Sequence, residues 1–159
     1  MKKYAFLFII LLNNLSFAQS DIFKSNIVVY ETGVLDDDNN ITYFNNHIAS
    51  SLEEIEKNQI IIKKYKNNYY LIIDQNLWSG EIGEVKNTRV NDFSLKTSFL
   101  WAIKSEDDYI PATVILRQEK NEKFKIIDTY MLVIFDNKNI FEFKGPSISK
   151  EIIEISELQ

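Results

Sequence analysis

The sequence FSLKTSFLWAI (residues 93–103) is the first of four apolar runs, and it is followed by ATVILRQ (112–118), FKIIDTYMLVIF (124–135) and IFEFK (140–144). Polar segments separate the runs: SEDDYIP, EKNEK and DNKN. In the first run the odd-numbered residues are mostly bulky, and the even-numbered residues are smaller or more polar. A period of two places the bulky set on one face of a pleated strand. The pattern therefore predicts consecutive antiparallel strands joined by short turns.

Further strands are predicted upstream of this block, because β-branched and aromatic residues alternate between turn-forming residues. They are Asn26–Thr32, Ile41–Phe44, Ile60–Lys66, Tyr69–Asp74 and Glu81–Val85. Gly33 is predicted at a turn or bulge. Asn67 and Asn68 predict a tight hairpin turn, since Asn tolerates a positive φ. Trp78–Gly80 is predicted as a turn and 86–92 as a connection.

The hydrophobic period changes in Asn45–Asn58. Ile48, Leu52 and Ile55 recur at helical spacing, which predicts a helix of about three turns with an apolar stripe. Asn45 is a candidate for its N-cap, as is the Asn that follows it. For the segment after Gly145-Pro146 the pattern leaves two interpretations open, a short amphipathic helix capped by a serine or a frayed end.

These elements predict a mainly β fold, an antiparallel barrel or sandwich of about eight strands with one covering helix. The alternative is an α+β fold in which one curved antiparallel sheet packs on the Asn45–Asn58 helix. Nothing in the sequence shows the alternation of strands and helices that a parallel sheet requires.

The N-terminal residues predict a cleaved signal peptide over residues 1–18. Lys2 and Lys3 precede the apolar run Tyr4–Leu12, and small residues stand just before Gln19. The apolar run is much shorter than the roughly 20 residues that a membrane-spanning helix needs. Residues 19–159 are predicted to form a single β-rich domain with no membrane span. The domain is expected to be exported, soluble, and located in the periplasm or the extracellular space.

Composition narrows the classes of function. The chain has no cysteine, which excludes disulfides, thiolate metal sites and a cysteine nucleophile. Its formal net charge is −5, and its arginines are Arg89 and Arg117. A chain this acidic is a poor candidate for binding nucleic acid. The partner is therefore expected to be an unknown protein or a small molecule.

Metal and cofactor motifs are sparse. His47 is the single histidine, so a standard zinc site is not expected, and no cofactor motif is present. Asp36, Asp38 and Asn40 alternate as in the start of a calcium-binding EF-hand loop. The pattern then fails, because Ile41 occupies the position that requires glycine. Calcium remains an alternative carried by these three residues, and the main expectation is no metal.

Candidate binding residues are Trp78 and Tyr109, two aromatic residues in predicted loops, where exposed rings are typical binding anchors. Glu81 and Glu84 stand near Trp78 and are the carboxylates best placed to act with it. A sugar ring stacks on an aromatic face, so paired carboxylates beside a Trp fit the chemistry of a glycoside hydrolase. No catalytic residue can be assigned from the sequence, because no catalytic motif surrounds any serine or carboxylate.

Three hypotheses on function follow. The leading one is an exported, non-catalytic binding or interaction domain of unknown ligand. The second is a secreted hydrolase that acts through carboxylates. The third is a structural or inhibitory protein in which Ile60–Lys66, as an edge strand, pairs with a partner.

Overall fold

A computed structural model describes residues 20–73, 78–106 and 108–155. The predicted signal peptide lies outside these ranges and stays a prediction. Within them the fold is mainly β and antiparallel, as predicted, with ten strands and one short helix. The strands are β1 Ser20–Asn26, β2 Val29–Leu35, β3 Ile41–Ile48, β4 Gln59–Tyr65, β5 Asn68–Ile73, β6 Trp78–Asn91, β7 Ser94–Lys104, β8 Tyr109–Asn121, β9 Ile126–Phe135 and β10 Asn139–Pro146. The helix, α1, is Leu52–Lys57.

All ten strands belong to one sheet, in the order β1-β4-β5-β6-β7-β8-β9-β10-β2-β3. Its edges in this order are β1 and β3, but β1 also returns to the end of β10. The Val28 N–H donates to the Lys144 carbonyl at 2.8 Å, and the Ile148 N–H donates to the Lys24 carbonyl at 2.9 Å. The sheet therefore curls round on itself. We call the contact between residues 24–28 and 144–148 the seam; it is short and is not a continuous ladder.

Gly145 permits the close approach at the seam. A Cβ atom at this position would lie 2.0 Å from the carbonyl oxygen of Asn26. Only a residue without a side chain lets two backbones come this near.

The core lies inside the curl and is built by alternation. In β7 the odd-numbered residues from Leu95 to Ile103 are buried, whereas Lys96 and Leu100 are exposed, which confirms the predicted period of two. Each fully buried Ile, Leu or Phe side chain contributes roughly 1.5–3 kcal/mol. The largest side chains that are fully buried are Trp101, Phe23, Ile60, Ile62, Leu71, Ile73, Ile82, Leu95, Leu116, Ile127, Met131 and Ile140.

The helix is shorter than predicted. Residues 45–48 belong to β3, where Asn46 pairs with Glu31 and His47 pairs with Tyr30. The helix begins after Ser51, whose hydroxyl accepts a hydrogen bond from the Glu54 N–H at 3.2 Å. Pairing with β2 overrides the helical spacing of the apolar residues, and a serine N-cap replaces the predicted Asn. None of the six residues of α1 is buried.

The segment 78–91 is one strand, β6, so the predicted turn at Trp78–Gly80 and the predicted connection after it are wrong. Gly80 suggested a turn, but its role is a close approach between strands. A Cβ atom there would lie 2.0 Å from the carbonyl oxygen of Ala102 in β7. A glycine inside a strand often marks such an approach.

The predicted hairpin exists with a shifted turn. Lys66 and Asn67 form the turn, Lys66 has φ 54°, and Tyr65 pairs with Asn68. The β4 strand pairs with β1 on one side and with β5 on the other. Ile60–Lys66 is therefore not an edge strand, which rules out partner pairing through this segment.

Two smaller points complete the fold. The predicted bulge at Gly33 is confirmed, since the pairing of β2 with β3 shifts register between Thr32 and Gly33. Within the described ranges, no helix is both long and apolar enough to cross a membrane.

Candidate functional site

The interior of the curled sheet has two chemically different ends. The Trp78 end is aromatic and contains Tyr30, Trp78, Phe135, Phe141 and Phe143. The Gln118 end is polar and contains Asn87, Thr97, Gln118 and Thr129. Antiparallel pairing produces this separation, because it places the start of β6 beside the end of β7 and the start of β8.

A half-open cavity of about 190 Å³ lies at the Trp78 end. Its walls come from strands that are distant in the sequence, together with the residue that follows α1. The lining residues are Ile27, Tyr30, Asn58, Ile73, Trp78, Phe141 and Phe143. The lining is mainly apolar, and the polar side-chain groups among these residues are the Asn58 amide, the Tyr30 hydroxyl and the Trp78 indole N–H. Small-molecule sites commonly combine apolar walls with a few polar groups in this way.

Trp78 is the central wall of this cavity. Its ring meets Phe141 edge-on at a centroid distance of 4.6 Å, and Phe135 and Phe143 edge-on at 6.1 and 6.3 Å. Each such aromatic pair adds about 0.5–1.5 kcal/mol beyond burial of area. Trp78 therefore lies in a strand and is half-buried in an aromatic cluster, not in a loop as predicted.

A hydrogen-bonded carboxylate, Glu54, is connected to the cavity wall at Tyr30 through His47. The Tyr30 ring lies 5.1 Å from the His47 ring, and His47 Nε2 lies 2.5 Å from Glu54 Oε1. The other carboxylate oxygen of Glu54 accepts hydrogen bonds from the Ser50 N–H at 2.8 Å and from the Ser50 hydroxyl at 2.9 Å. Three hydrogen bonds lower the pKa of Glu54 to about 2. The bond from the Ser50 N–H has the largest effect, and those with His47 and the Ser50 hydroxyl have smaller ones. Glu54 is therefore held in its ionised form by hydrogen bonds, one residue removed from the cavity wall.

Sequence reasoning missed Tyr30, Phe141 and Phe143 as site residues. Their alternation was visible, but it predicted only that they belong to strands. What brings them together is the pairing of β10 with β2, in which Phe143 lies opposite Tyr30. That pairing joins two distant parts of the chain and has no local signature in the sequence.

Tyr109 and Glu81 lie elsewhere, on the outer surface of the sheet. They share a depression of about 320 Å³ with Tyr70 and Lys104. Tyr109 is 62% exposed, which agrees with the exposure predicted for it, but it is the first residue of β8 and does not lie in a loop as predicted. The structure therefore brings Tyr109 and Glu81 together, but it places them outside the cavity of Trp78.

Glu84 lies apart from both groups. It is exposed, has φ 49°, and stands in the bulge where β6 and β7 shift register between Gly83 and Lys86. The hydrolase hypothesis needs two carboxylates facing one another across a cleft, about 5–10 Å apart. Among the described lining residues of the outer depression, Glu81 is the single carboxylate.

The acidic turn 36–40 is organised by its own hydrogen bonds. Asp36 Oδ1 accepts from the N–H groups of Asp38 at 2.9 Å and Asn40 at 2.8 Å, and Asp36 Oδ2 accepts from the Asn40 side chain at 3.0 Å. The bonds from Asn40 lower the pKa of Asp36. The described ranges contain no group of three or more His, Cys, Asp or Glu residues that could hold a metal ion.

Comparison of the chain with protein-family models, with curated proteins and with solved structures gives no match.

Proposed function

We propose that this protein is a non-catalytic binding domain whose Trp78 end holds a small apolar group, either an aromatic ring or the end of an acyl chain. The observation that carries the proposal is the aromatic cavity of about 190 Å³. An apolar cavity of about 150 Å³ is known to bind benzene, whereas drug-sized ligands occupy about 300–1,000 Å³. The group that enters is therefore the size of one ring or a short chain.

The walls favour such a ligand for two reasons. Aromatic edges and faces offer good contacts to another ring, and Trp78 and Phe141 already pack edge-on with one another. Asn58 and Tyr30 provide hydrogen-bonding groups that would orient a polar substituent.

The test uses fluorobenzene as a ring probe and hexanoate as an acyl probe, with binding followed by fluorine NMR line width and by chemical-shift changes at the cavity. We expect both probes to contact the cavity, and the ring probe to bind more tightly. Trp78→Leu should weaken fluorobenzene binding by at least about five-fold, which corresponds to the loss of about one aromatic pair.

Tyr109→Leu is the matched control, because Tyr109 is exposed and lies outside the cavity. It should leave binding unchanged. The proposal fails if neither probe binds the folded protein, or if both substitutions have the same effect.

The proposal includes export. Its support is the predicted signal peptide over residues 1–18. N-terminal sequencing of the protein from the exported fraction should begin at Gln19. Retention of Met1 in that fraction would contradict the predicted cleavage.

The two alternative functions have less support in the described residues. The hydrolase hypothesis rests on Glu81 and Glu84, which are exposed on the outer surface and lie outside the cavity of Trp78. The edge-strand hypothesis rested on Ile60–Lys66, and β4 is paired on both sides. We prefer the binding-domain hypothesis because it assigns a role to the apolar cavity beside Trp78.

A further inference from the structure

The Gln118 end is filled by the chain itself. After β10, residues 147–155 lie outside the named strands and helix and cross the open end of the curl; we call them the tail segment. Local bonds bend the start of this segment. The Ser149 N–H donates to the Ser147 hydroxyl at 3.1 Å, and the Ser149 hydroxyl donates to the Glu151 carbonyl at 2.9 Å. Neither a helix nor a frayed end describes it.

Gln118 binds the backbone of the tail segment at one residue, Ile153. The side-chain amide of Gln118 donates to the Ile153 carbonyl at 2.6 Å, and its oxygen accepts from the Ile153 N–H at 2.9 Å. This two-bond pattern is the one that a neighbouring strand offers in an antiparallel ladder. Gln118 is completely buried, so these bonds form away from water.

A second buried contact fixes the residue two positions further on. The Asn87 side-chain amide donates to the Ile155 carbonyl at 2.6 Å, and the Thr97 hydroxyl orients Asn87 by donating to its oxygen at 2.7 Å. The Ile155 side chain has no exposed area and belongs to the core cluster. Between the two isoleucines, the Glu154 side chain is 57% exposed and lies 3.9 Å from Arg89.

These contacts depend mainly on the backbone of the tail segment and little on the identity of its side chains. Every hydrogen bond from Gln118 and Asn87 to the tail segment reaches its backbone. Ile155 is fully buried and Ile153 packs half-buried against the core, so these contacts place apolar side chains at alternate positions. Thr129, the cross-strand neighbour of Gln118, is 1% exposed and its hydroxyl has no hydrogen-bond partner among the described residues. The end therefore has hydrogen-bonding capacity that the tail segment does not use.

We propose that the Gln118 end is a binding site for an extended peptide strand with apolar side chains two residues apart, and that the tail segment occupies this site in cis. The site binds backbone through Gln118 and Asn87 and takes one apolar side chain into the core. Recognition of a strand by its main chain, with pockets for alternate side chains, is a common mode of peptide binding.

Exchange of the tail segment for another strand is physically reasonable. The segment joins the sheet through side chains and a short seam, and it has no ladder of its own along 148–155. Segments of this kind open at lower free energy than core strands. A competing peptide needs to displace only a few bonds, although the attached segment has the advantage of a high effective concentration.

The test uses the full chain and a fluorescent peptide, SISKEIIEI, which copies residues 147–155. Ile155→Asp places a charge at a fully buried position and should release the tail segment. We expect this variant to bind the peptide at least about ten-fold more tightly than the unmodified chain, in which the tail segment competes. Glu154→Gln is the matched control in the same segment, and it should behave as the unmodified chain does.

Two further measurements test the same proposal independently. Adding Gln118→Leu to Ile155→Asp should weaken peptide binding by roughly ten-fold, because two hydrogen bonds to the backbone are lost. In the unmodified chain, hydrogen exchange at the Ile153 N–H should be at least about ten-fold faster than at Leu116 in β8. This second measurement decides the matter if Ile155→Asp does not fold.

The proposal is overturned if folded Ile155→Asp does not bind the peptide, or if binding does not depend on Gln118. It is also overturned if the Ile153 N–H exchanges only as slowly as the core. In those cases the tail segment is a permanent part of the core. The fluorobenzene site is unaffected by any of these outcomes, because it lies at the other end.

Discussion

The two ends of the curled sheet differ in how their interior side chains are covered. A sheet that curls round a core leaves an opening at each end, and each opening exposes interior side chains. At the Trp78 end aromatic rings pack against one another and leave a cavity of about 190 Å³. At the Gln118 end the tail segment covers a polar interior, and the amides of buried Gln118 and half-buried Asn87 bind its backbone. An apolar end can remain partly open, whereas a polar interior needs partners or water.

The largest effect is expected at Gly80, a buried position of β6 two residues from Trp78. Gly80→Ala would place a Cβ atom 2.0 Å from the Ala102 carbonyl oxygen, so β6 and β7 would have to separate. We expect a loss of about 3 kcal/mol in the free energy of unfolding, together with loss of fluorobenzene binding. Urea denaturation and the NMR binding assay measure the two effects.

Gly83→Ala is the control on the same strand, because a Cβ atom there meets nothing within 4 Å. Its effect on the free energy of unfolding should stay within about 0.5 kcal/mol. Equal effects of the two substitutions would show that the close approach at Gly80 does not shape this end.

The second-largest effect is expected at the Gln118 end. Gln118→Leu keeps the approximate volume of the side chain but leaves the Ile153 N–H and carbonyl without their partner. We expect a loss of about 2 kcal/mol in the free energy of unfolding. Gln59→Leu is the control, since the Gln59 amide donates at 3.1 Å to the side chain of Asn26 in a part-buried position. If both variants lose the same stability, the buried amide has no special role at this end.

The smallest effect concerns the Glu54 carboxylate of α1, which is connected to Tyr30 at the Trp78 end through His47, and it depends on pH. The folded protein lowers the pKa of Glu54 from 4.5 to about 2, so its ionised form is stabilised by folding. This stabilisation is complete above pH 4.5 and is lost as the pH falls towards about 2. Glu54→Gln should therefore destabilise the protein near neutral pH, and the difference from the unmodified protein should shrink below about pH 4.

Urea midpoints measured across this pH range test the effect of Glu54. Glu56→Gln, at an exposed position of the same helix, is the control. A difference between Glu54→Gln and the unmodified protein that stays constant from neutral to acid pH would contradict the role assigned to the Glu54 carboxylate.

Much of the sheet was predictable, because strand alternation is a local property. The bulky odd-numbered residues of 93–103 were predicted to share one face, and those within β7 are buried, whereas Phe93, just before the strand, is 46% exposed. The bulge at Gly33 was also visible, since glycine has few other roles within a strand. These features depend on neighbouring residues and on a pattern that repeats every two residues.

The site was less predictable, because pairing between distant strands creates it. Trp78 was predicted to be a binding anchor because it was expected to lie in a loop. It lies instead in β6, where its ring forms a wall of the cavity. The helical spacing at Ile48 was overridden by pairing of β3 with β2. In the tail segment, the β-branched isoleucines favour an extended chain over a helix, and the buried Gln118 that binds it carries no local signal.

The seam has a consequence for the order of folding. Its side-chain hydrogen bonds join residues 121 and 123 positions apart, Ser25 with Pro146 and Ser147 with Lys24. The adjacent hairpins close over far shorter loops, and contacts of low sequence separation form faster. The meander from β4 to β10 should therefore assemble first as a curved sheet, and the meeting of the N- and C-terminal parts at Gly145 should be a late, slow event. Until the seam forms, the curled sheet is open along one side from the Trp78 end to the Gln118 end. A newly synthesised chain is expected to pass through this open intermediate.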